Sequence, residues 1–234
     1  MRESLQQIAA EIEANPTKAN RESLVEALSD PALFTRERAI EIARQAAAAE
    51  PLLDVKLARR LAKLDADAAE HVLAILEAIS DGSRIAVILG IVSRHPNPRL
   101  RSKAALLAGR YNKLPQWLES QLQAPDARVR ANAVEALWGV EARGIGAALR
   151  HALQDPSPRV VANALVAFHR LGDASILPEM FTMARSPKPA DRAAAAWAMG
   201  ESGDRLFLPI LKELSADPVQ KVARMASRAI KRMP

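Results

Sequence analysis

A chain of 234 residues is long enough for one large domain or two small ones, and its 49% hydrophobic content supplies an ample core. Aromatic residues make up only 3%, so alanine and leucine carry the packing, which suits closely approaching helices of high intrinsic propensity. The lack of cysteine excludes disulfide staples, thiol catalysis and thiolate metal sites, while the formal charge of +6 favours acidic partners or nucleic acid.

The segment from Met1 to Asn15 carries Glu3, Glu11 and Glu13 and no long apolar run, which predicts an amphipathic helix and not a secretory signal. No stretch approaches the roughly 18 consecutive apolar residues of a membrane span, so no membrane partner is expected and the expected compartment is the cytoplasm. The charge is polarised. Residues 1–30 hold Arg2, Lys18 and Arg21 against six acids, whereas residues 219–234 hold Lys221, Arg224, Arg228, Lys231 and Arg232 with none. Asp30-Pro31 opens a first helical unit with Ala39, Ile42 and Ala43 on its apolar face. Asp65-Ala66 replaces that mark in the next unit, predicting Ala74 and Ala78 as its core positions.

From there the punctuation becomes regular. Pro96, Pro125, Pro156, Pro187 and Pro218 follow one another at steps of 29, 31, 31 and 31 residues. Eight positions after each stands an alanine (Ala104, Ala133, Ala164, Ala195, Ala226), and twelve positions after stand Ala108, Leu137, Phe168, Met199 and Ile230. A fixed period near 31 residues predicts stacked units that share a continuous core. Within one unit, Val129, Ala133, Ala136 and Leu137 fall on one helical face, Gly139 ends that helix, and Gly144 and Gly146 turn into a second apolar segment. Each unit is therefore two antiparallel helices, with Asp-Pro placed to cap the helix that follows it. A second mark keeps the same step: Gly172-Asp173 and Gly203-Asp204, followed by Leu177-Pro178 and Leu208-Pro209, with Leu114-Pro115 about two periods earlier. Glycine supplies a left-handed stop, aspartate the next cap, and proline the first turn. The predicted architecture is all-α: a single solenoid over 1–234, degenerate over 1–94 and regular over 95–234.

Asp155-Pro156-Ser157-Pro158-Arg159-Val160-Val161-Ala162-Asn163-Ala164 resembles the turn and second-helix start of HEAT-like repeats, as does the run from Ala124 to Ala133. Leu171-Gly172-Asp173 followed by Leu177-Pro178 resembles the inter-repeat loop of the short bacterial form, found also in phycobilin lyases. The resemblance covers residues 95–232 and implies a right-handed α-solenoid whose second helices line the concave side. It also implies a ladder in which an arginine five positions after the proline meets the loop aspartates. Arg36, Arg101, Arg130 and Arg192 match that position, whereas Val161 and Ala223 depart from it and should break the ladder.

With the apolar face at offsets +4, +8, +11 and +12 from each proline, offsets +3, +7, +10 and +14 form the opposite, concave face. Those positions hold Arg99, Lys103, Leu106 and Arg110, then Arg128, Asn132, Glu135 and Gly139, then Arg159, Asn163, Val166 and Arg170, then Ala190, Ala194, Trp197 and Glu201, and finally Lys221, Met225, Arg228 and Arg232. Stacking would set Arg99, Arg128 and Arg159 in one row and Asn132 and Asn163 in another, a cradle suited to carboxylates because guanidinium binds them bidentately. Trp197 would anchor an interface. Lys221, Arg224, Arg228 and Lys231 make a basic stripe on the last helix, enough for contact with phosphates.

Catalytic chemistry is missing. His71, His95, His151 and His169 share no metal-ligand spacing, and no P-loop, dinucleotide fingerprint, serine elbow or paired carboxylate motif is present. No catalytic residue, metal or cofactor is therefore expected. The function that results is a non-enzymatic scaffold or adaptor that holds a protein or peptide on its concave face, with an acidic one as the chemistry its arginines complement. Binding of a nucleic-acid backbone through the basic face is the alternative. A phycobilin-lyase-like or DNA-glycosylase-like enzyme ranks below both, since stacking aromatics are scarce.

Overall fold

Side-chain oxygens of Asn20, Thr35, Asp65, Asn97 and Asp126 cap the helices that follow them. In the computed structural model, which describes residues 2–80, 84–111, 115–138 and 146–233, every regular element is helical. The described residues form two compact units, Met1–Lys113 and Leu114–Pro234. The first contains α1 (Arg2–Ala14), α2 (Arg21–Leu28), α3 (Arg36–Ala47), α4 (Leu53–Leu61), α5 (Ala66–Ile79), α6 (Ile85–Val92) and α7 (Pro98–Arg110). The second contains α8 (Pro115–Gln121), α9 (Ala127–Ala136), α10 (Gly146–Ala152), α11 (Pro158–Arg170), α12 (Leu177–Ala184), α13 (Pro189–Ser202), α14 (Leu208–Ser215) and α15 (Gln220–Arg232). No helix among the described residues is long and apolar enough to cross a membrane.

In the second unit α9, α11, α13 and α15 pack side by side in that order, and α8, α10, α12 and α14 each pack against a member of that row. Alanine makes the row possible. Ala133, Ala164, Ala195 and Ala226 are all fully buried, where a larger side chain would hold the helices apart. In the first unit α3, α5 and α4 pack together, α6 joins α4 and α7, and the core is richer in leucine and isoleucine, including Leu28, Ile42, Leu57 and Leu73.

The Asp-Pro marks act one step earlier than their spacing suggests. Asp30, Asp155 and Asp217 each accept through Oδ1 the backbone N–H two residues on, at 2.8 Å, closing a turn ahead of the helix. The carboxylate is committed to that turn, so the helices start later, at Arg36, Pro158 and Gln220. Capping by the side chain itself occurs at Asn97, Asp126 and Asp65, and it is the second proline, Pro98 or Pro158, that opens the helix. This corrects the core of α5. From the cap Asp126 the buried positions Ala133, Ala136 and Leu137 lie 7, 10 and 11 residues on. The same count from the cap Asp65 reaches Val72, Ile75 and Leu76, which are buried, whereas Ala74 and Ala78 are only half-buried.

The second mark acts as expected. Gly172 and Gly203 adopt φ of 76° and 68°, the left-handed region where a Cβ is strained, and Asp173 and Asp204 cap the short 3-10 turns that lead into α12 and α14. Gly139, Gly144 and Leu114 lie outside the described residues.

Candidate functional site

The arginine five positions after the proline ties neighbouring repeats together in two places. Arg130 donates from Nε and Nη2 to the two carboxylate oxygens of Asp155, at 2.7 and 2.9 Å, and from Nη1 to the carbonyls of Ala124 and Pro125. Arg192 repeats the arrangement with Asp217 and the carbonyls of Ser186 and Pro187. Burial pushes the Asp155 carboxyl up, but its hydrogen bonds from Arg130 and from the Ser157 N–H outweigh that and hold it below the usual carboxylate range. Arg101 makes the carbonyl half of the pattern, with His95 and Pro96. Arg36 is exposed at the start of α3. Val161 interrupts the ladder, and Ser186 stands where the matching aspartate would be.

Four of the residues singled out in the sequence converge on one groove. Arg159 and Asn163 of α11, Trp197 of α13 and Lys221 of α15 line a cavity of about 440 Å³, floored by Ala162, Ala193 and Ala194 and closed at one side by Met225. The small residues create the depression, because the larger side chains stand at its edges. Two cations border it. Arg159 is exposed yet held in place, its Nη2 donating to Asn132 Oδ1 on α9 at 2.8 Å.

The asparagines differ from what the sequence predicts. Asn132 and Asn163 are 5% and 1% exposed, and Val166 beside them is fully buried. Asn163 reaches from α11 to α9, donating from Nδ2 to the Ala131 carbonyl at 2.6 Å and more distantly to Glu135 Oε2. The +7 position faces the adjacent helix, not the open side, because α9 and α11 pack closely enough to cover it. These side chains position the groove wall and are not an exposed second row. Asn163 Oδ1 is buried with no hydrogen-bond partner among the described residues.

Trp197 is braced from behind. Its ring stacks on Trp138 with centroids 6.1 Å apart and planes 30° apart, and Trp138 donates its indole N–H to the Asn163 carbonyl at 3.0 Å. The Arg170 guanidinium lies 4.4 Å over the Trp138 ring and pairs with Glu201 at 3.3 Å. Burial raises the Glu135 carboxyl above its ordinary range, against the opposing pull of Arg159. Trp138 stands at none of the concave offsets; its sequence position reads only as a core or groove residue, and its bracing of Trp197 has no separate mark in the repeat.

The remaining candidates are not among the residues that line the groove. Arg99 and Lys103 are on α7 of the first unit, where Arg99 is exposed and Lys103 pairs with Glu70 of α5 at 3.2 Å. Arg128 is exposed at the start of α9. Arg224, Arg228 and Lys231 are exposed on α15, and no described acid pairs with them. The described residues contain no cluster of metal-ligating side chains. His95 and His71 are buried, and burial lowers the affinity of both rings for a proton.

The sequence model of HEAT repeats matches residues 114–173 and 146–231, which together span half of the chain. A comparison with curated proteins finds no match.

Proposed function

The chain belongs to the HEAT-repeat family, whose repeats are commonly protein-interaction scaffolds and generally non-enzymatic, and from that premise we propose that it is a non-enzymatic interaction module whose partner segment seats in the α11–α13–α15 groove. The observation that carries this reading is the convergence of Arg159, Trp197 and Lys221 on one alanine-floored cavity. An apolar side chain of the partner lies on the alanine floor against Trp197, and a neighbouring carboxylate meets Arg159 and Lys221. Because Asn132 already orients Arg159, little side-chain entropy remains to be lost when an acid arrives. The braced indole offers the same advantage for the apolar contact.

Selection of a displayed peptide library on the full chain tests this. Enriched peptides are expected to carry an acidic residue beside a bulky apolar one, and Arg159→Glu/Lys221→Glu should no longer retain them while keeping its helicity. Lys221→Glu is an exposed change that should shift stability by no more than about 0.5 kcal/mol, whereas Arg159→Glu also gives up the bond to Asn132 and should cost about 1 kcal/mol more, so the melting curve of the double variant is measured first. Enrichment without that signature, or retention by the folded double variant, refutes the groove. Salt-sensitive retention on duplex DNA that disappears in Arg224→Glu/Arg228→Glu would instead assign the function to the open stripe of α15.

A further inference from the structure

The interrupted rung of the ladder leaves a second opening, which apart from Pro158 shares no lining residue with the groove. On either side of it an arginine fills the corresponding place. Arg130 and Arg192 each lie over the carbonyls of the mark and the residue before it, with a carboxylate 25 residues on. At the middle rung the arginine is Val161 and the carboxylate is Ser186, so both members of the pair are replaced together. The corresponding carbonyls, those of Asp155 and Pro156, accept no hydrogen bond from any described residue. In place of the missing side chains there is a cavity of about 880 Å³, lined by Asp155, Pro156, Val161, Ser186 and Asp191 among others.

An acceptor set for a guanidinium therefore persists without its guanidinium. Asp191 takes the part of the absent aspartate: its Oδ2 accepts from Ser186 Oγ at 2.7 Å, which places the carboxylate at the edge of the cavity. Of the other two carboxylates that line the cavity, Asp155 is already paired with Arg130 and Glu179 adds a further negative charge, while Phe181 and Val161 offer apolar surface for the methylenes of an incoming side chain. Arg185 and Lys188 also line it, which limits the occupant to a single cation and disfavours a polybasic run.

We infer that this opening is a docking site for one arginine side chain of a partner protein, which completes the rung from outside. The planar fork of a guanidinium can reach two carbonyls and a carboxylate at once, as the two neighbouring rungs demonstrate, whereas the point charge of a lysine cannot. The cavity is larger than the side chain and leaves room for the backbone that bears it.

The test is a titration of the full chain with N-acetyl-arginine amide, followed by amide NMR shifts at Val161 and Ser186 to Asp191. Saturable shifts confined to those residues are expected, and the citrulline analogue, which keeps the shape but lacks the charge, should bind at least tenfold more weakly. Val161→Arg supplies an internal guanidinium and should weaken binding at least tenfold. Asp191→Asn preserves side-chain volume and should weaken it severalfold, which keeps the test decisive if Val161→Arg fails to fold. Equal shifts with citrulline, equal affinity for the lysine analogue, or unchanged binding by folded Asp191→Asn would each overturn the assignment. Loss of the α11–α13–α15 groove through Arg159→Glu/Lys221→Glu should leave these shifts intact, so the two sites fail independently.

Discussion

Replacing Gly200 by alanine sets two opposing effects against each other, and the structure decides which is larger. In a helix interior glycine is about 1 kcal/mol less favourable than alanine, so propensity alone predicts stabilisation. Gly200, however, is where α13 meets α15. A Cβ at this position would lie 2.5 Å from the Ala229 Cβ and 2.9 Å from the Ala229 Cα, against an ordinary carbon contact of about 3.5–4.0 Å. The obstacle includes backbone, so no rotamer change relieves it and the two helices must separate by about an ångström. Overpacking of this kind typically costs about 1–3 kcal/mol, and the clash with an immovable Cα favours the upper half of that range. Gly200→Ala should therefore be less stable by about 1–2 kcal/mol after the gain in propensity. With a urea m-value of about 1–3 kcal/mol/M, the unfolding midpoint should fall by about 0.3–2 M. Ala229→Gly in the same chain removes the obstructing Cβ but leaves the Cα at 2.9 Å and brings its own helix penalty of about 1 kcal/mol, so it should relieve only part of the clash, read as the coupling term of a double-mutant cycle. The assay is urea unfolding followed by far-ultraviolet circular dichroism. A Gly200→Ala chain as stable as the wild type would show that α13 and α15 do not approach this closely, and the groove they flank would lose its geometry.

Ala164→Leu in the row of fully buried alanines should cost about 1–3 kcal/mol, and a variant melting at the wild-type temperature would contradict the close approach of α11 to its neighbours. The Arg130–Asp155 rung predicts a pH signature. The Asp155 pKa is lower in the folded chain than its unfolded value of about 3.9, so its contribution is present above about pH 4 and is lost as the pH falls through the folded value. Arg130→Gln should consequently be destabilised at pH 7, and its gap to the wild type should narrow as the pH falls below about 4 without closing, since the bonds to the Ala124 and Pro125 carbonyls do not titrate. Thermal unfolding between pH 7 and 3 checks this, and a constant gap over that interval would refute it.

Much of the fold can be read from the sequence because it rests on local rules: the glycines with positive φ at 172 and 203, the aspartates beside them, and the alanines that let α9, α11, α13 and α15 approach. The register of α5 could not be recovered by counting from Ala66, since the energetic start of a helix is its cap and Asp65 fixes that two residues from where the Pro-based offset places it. The cationic and aromatic edges of the groove could be read from their repeat offsets. The alanine floor could be read only in part: Ala194 falls on a concave offset, whereas Ala162 and Ala193 lie off those offsets and look in sequence like any other helix-forming alanines. Asn132 and Asn163 misled for a related reason. A polar residue at a regular offset looks exposed, but here it satisfies main-chain and side-chain groups across a helix interface, where an apolar residue would leave Arg159 unoriented and the Ala131 carbonyl without its side-chain donor.

Residues that obey the repeat hold it together, and residues that break the repeat are free to do something else. Arg130 and Arg192 are confined to their carboxylates and carbonyls, with side chains 14% and 15% exposed, and any change there is first a change in stability. Val161 and Ser186 forgo that pairing together, which opens a cavity beside acceptors that the neighbouring rungs show to be suited to a guanidinium. Trp197 likewise stands among alanines in α13, and its indole is supported by Trp138 instead of being buried by the next helix. In both places the chain forgoes an internal contact and keeps the surrounding geometry. A partner that supplies the missing group gains the interaction without having to reorganise the site, and this is the physical reason to look for binding where the repeat is interrupted.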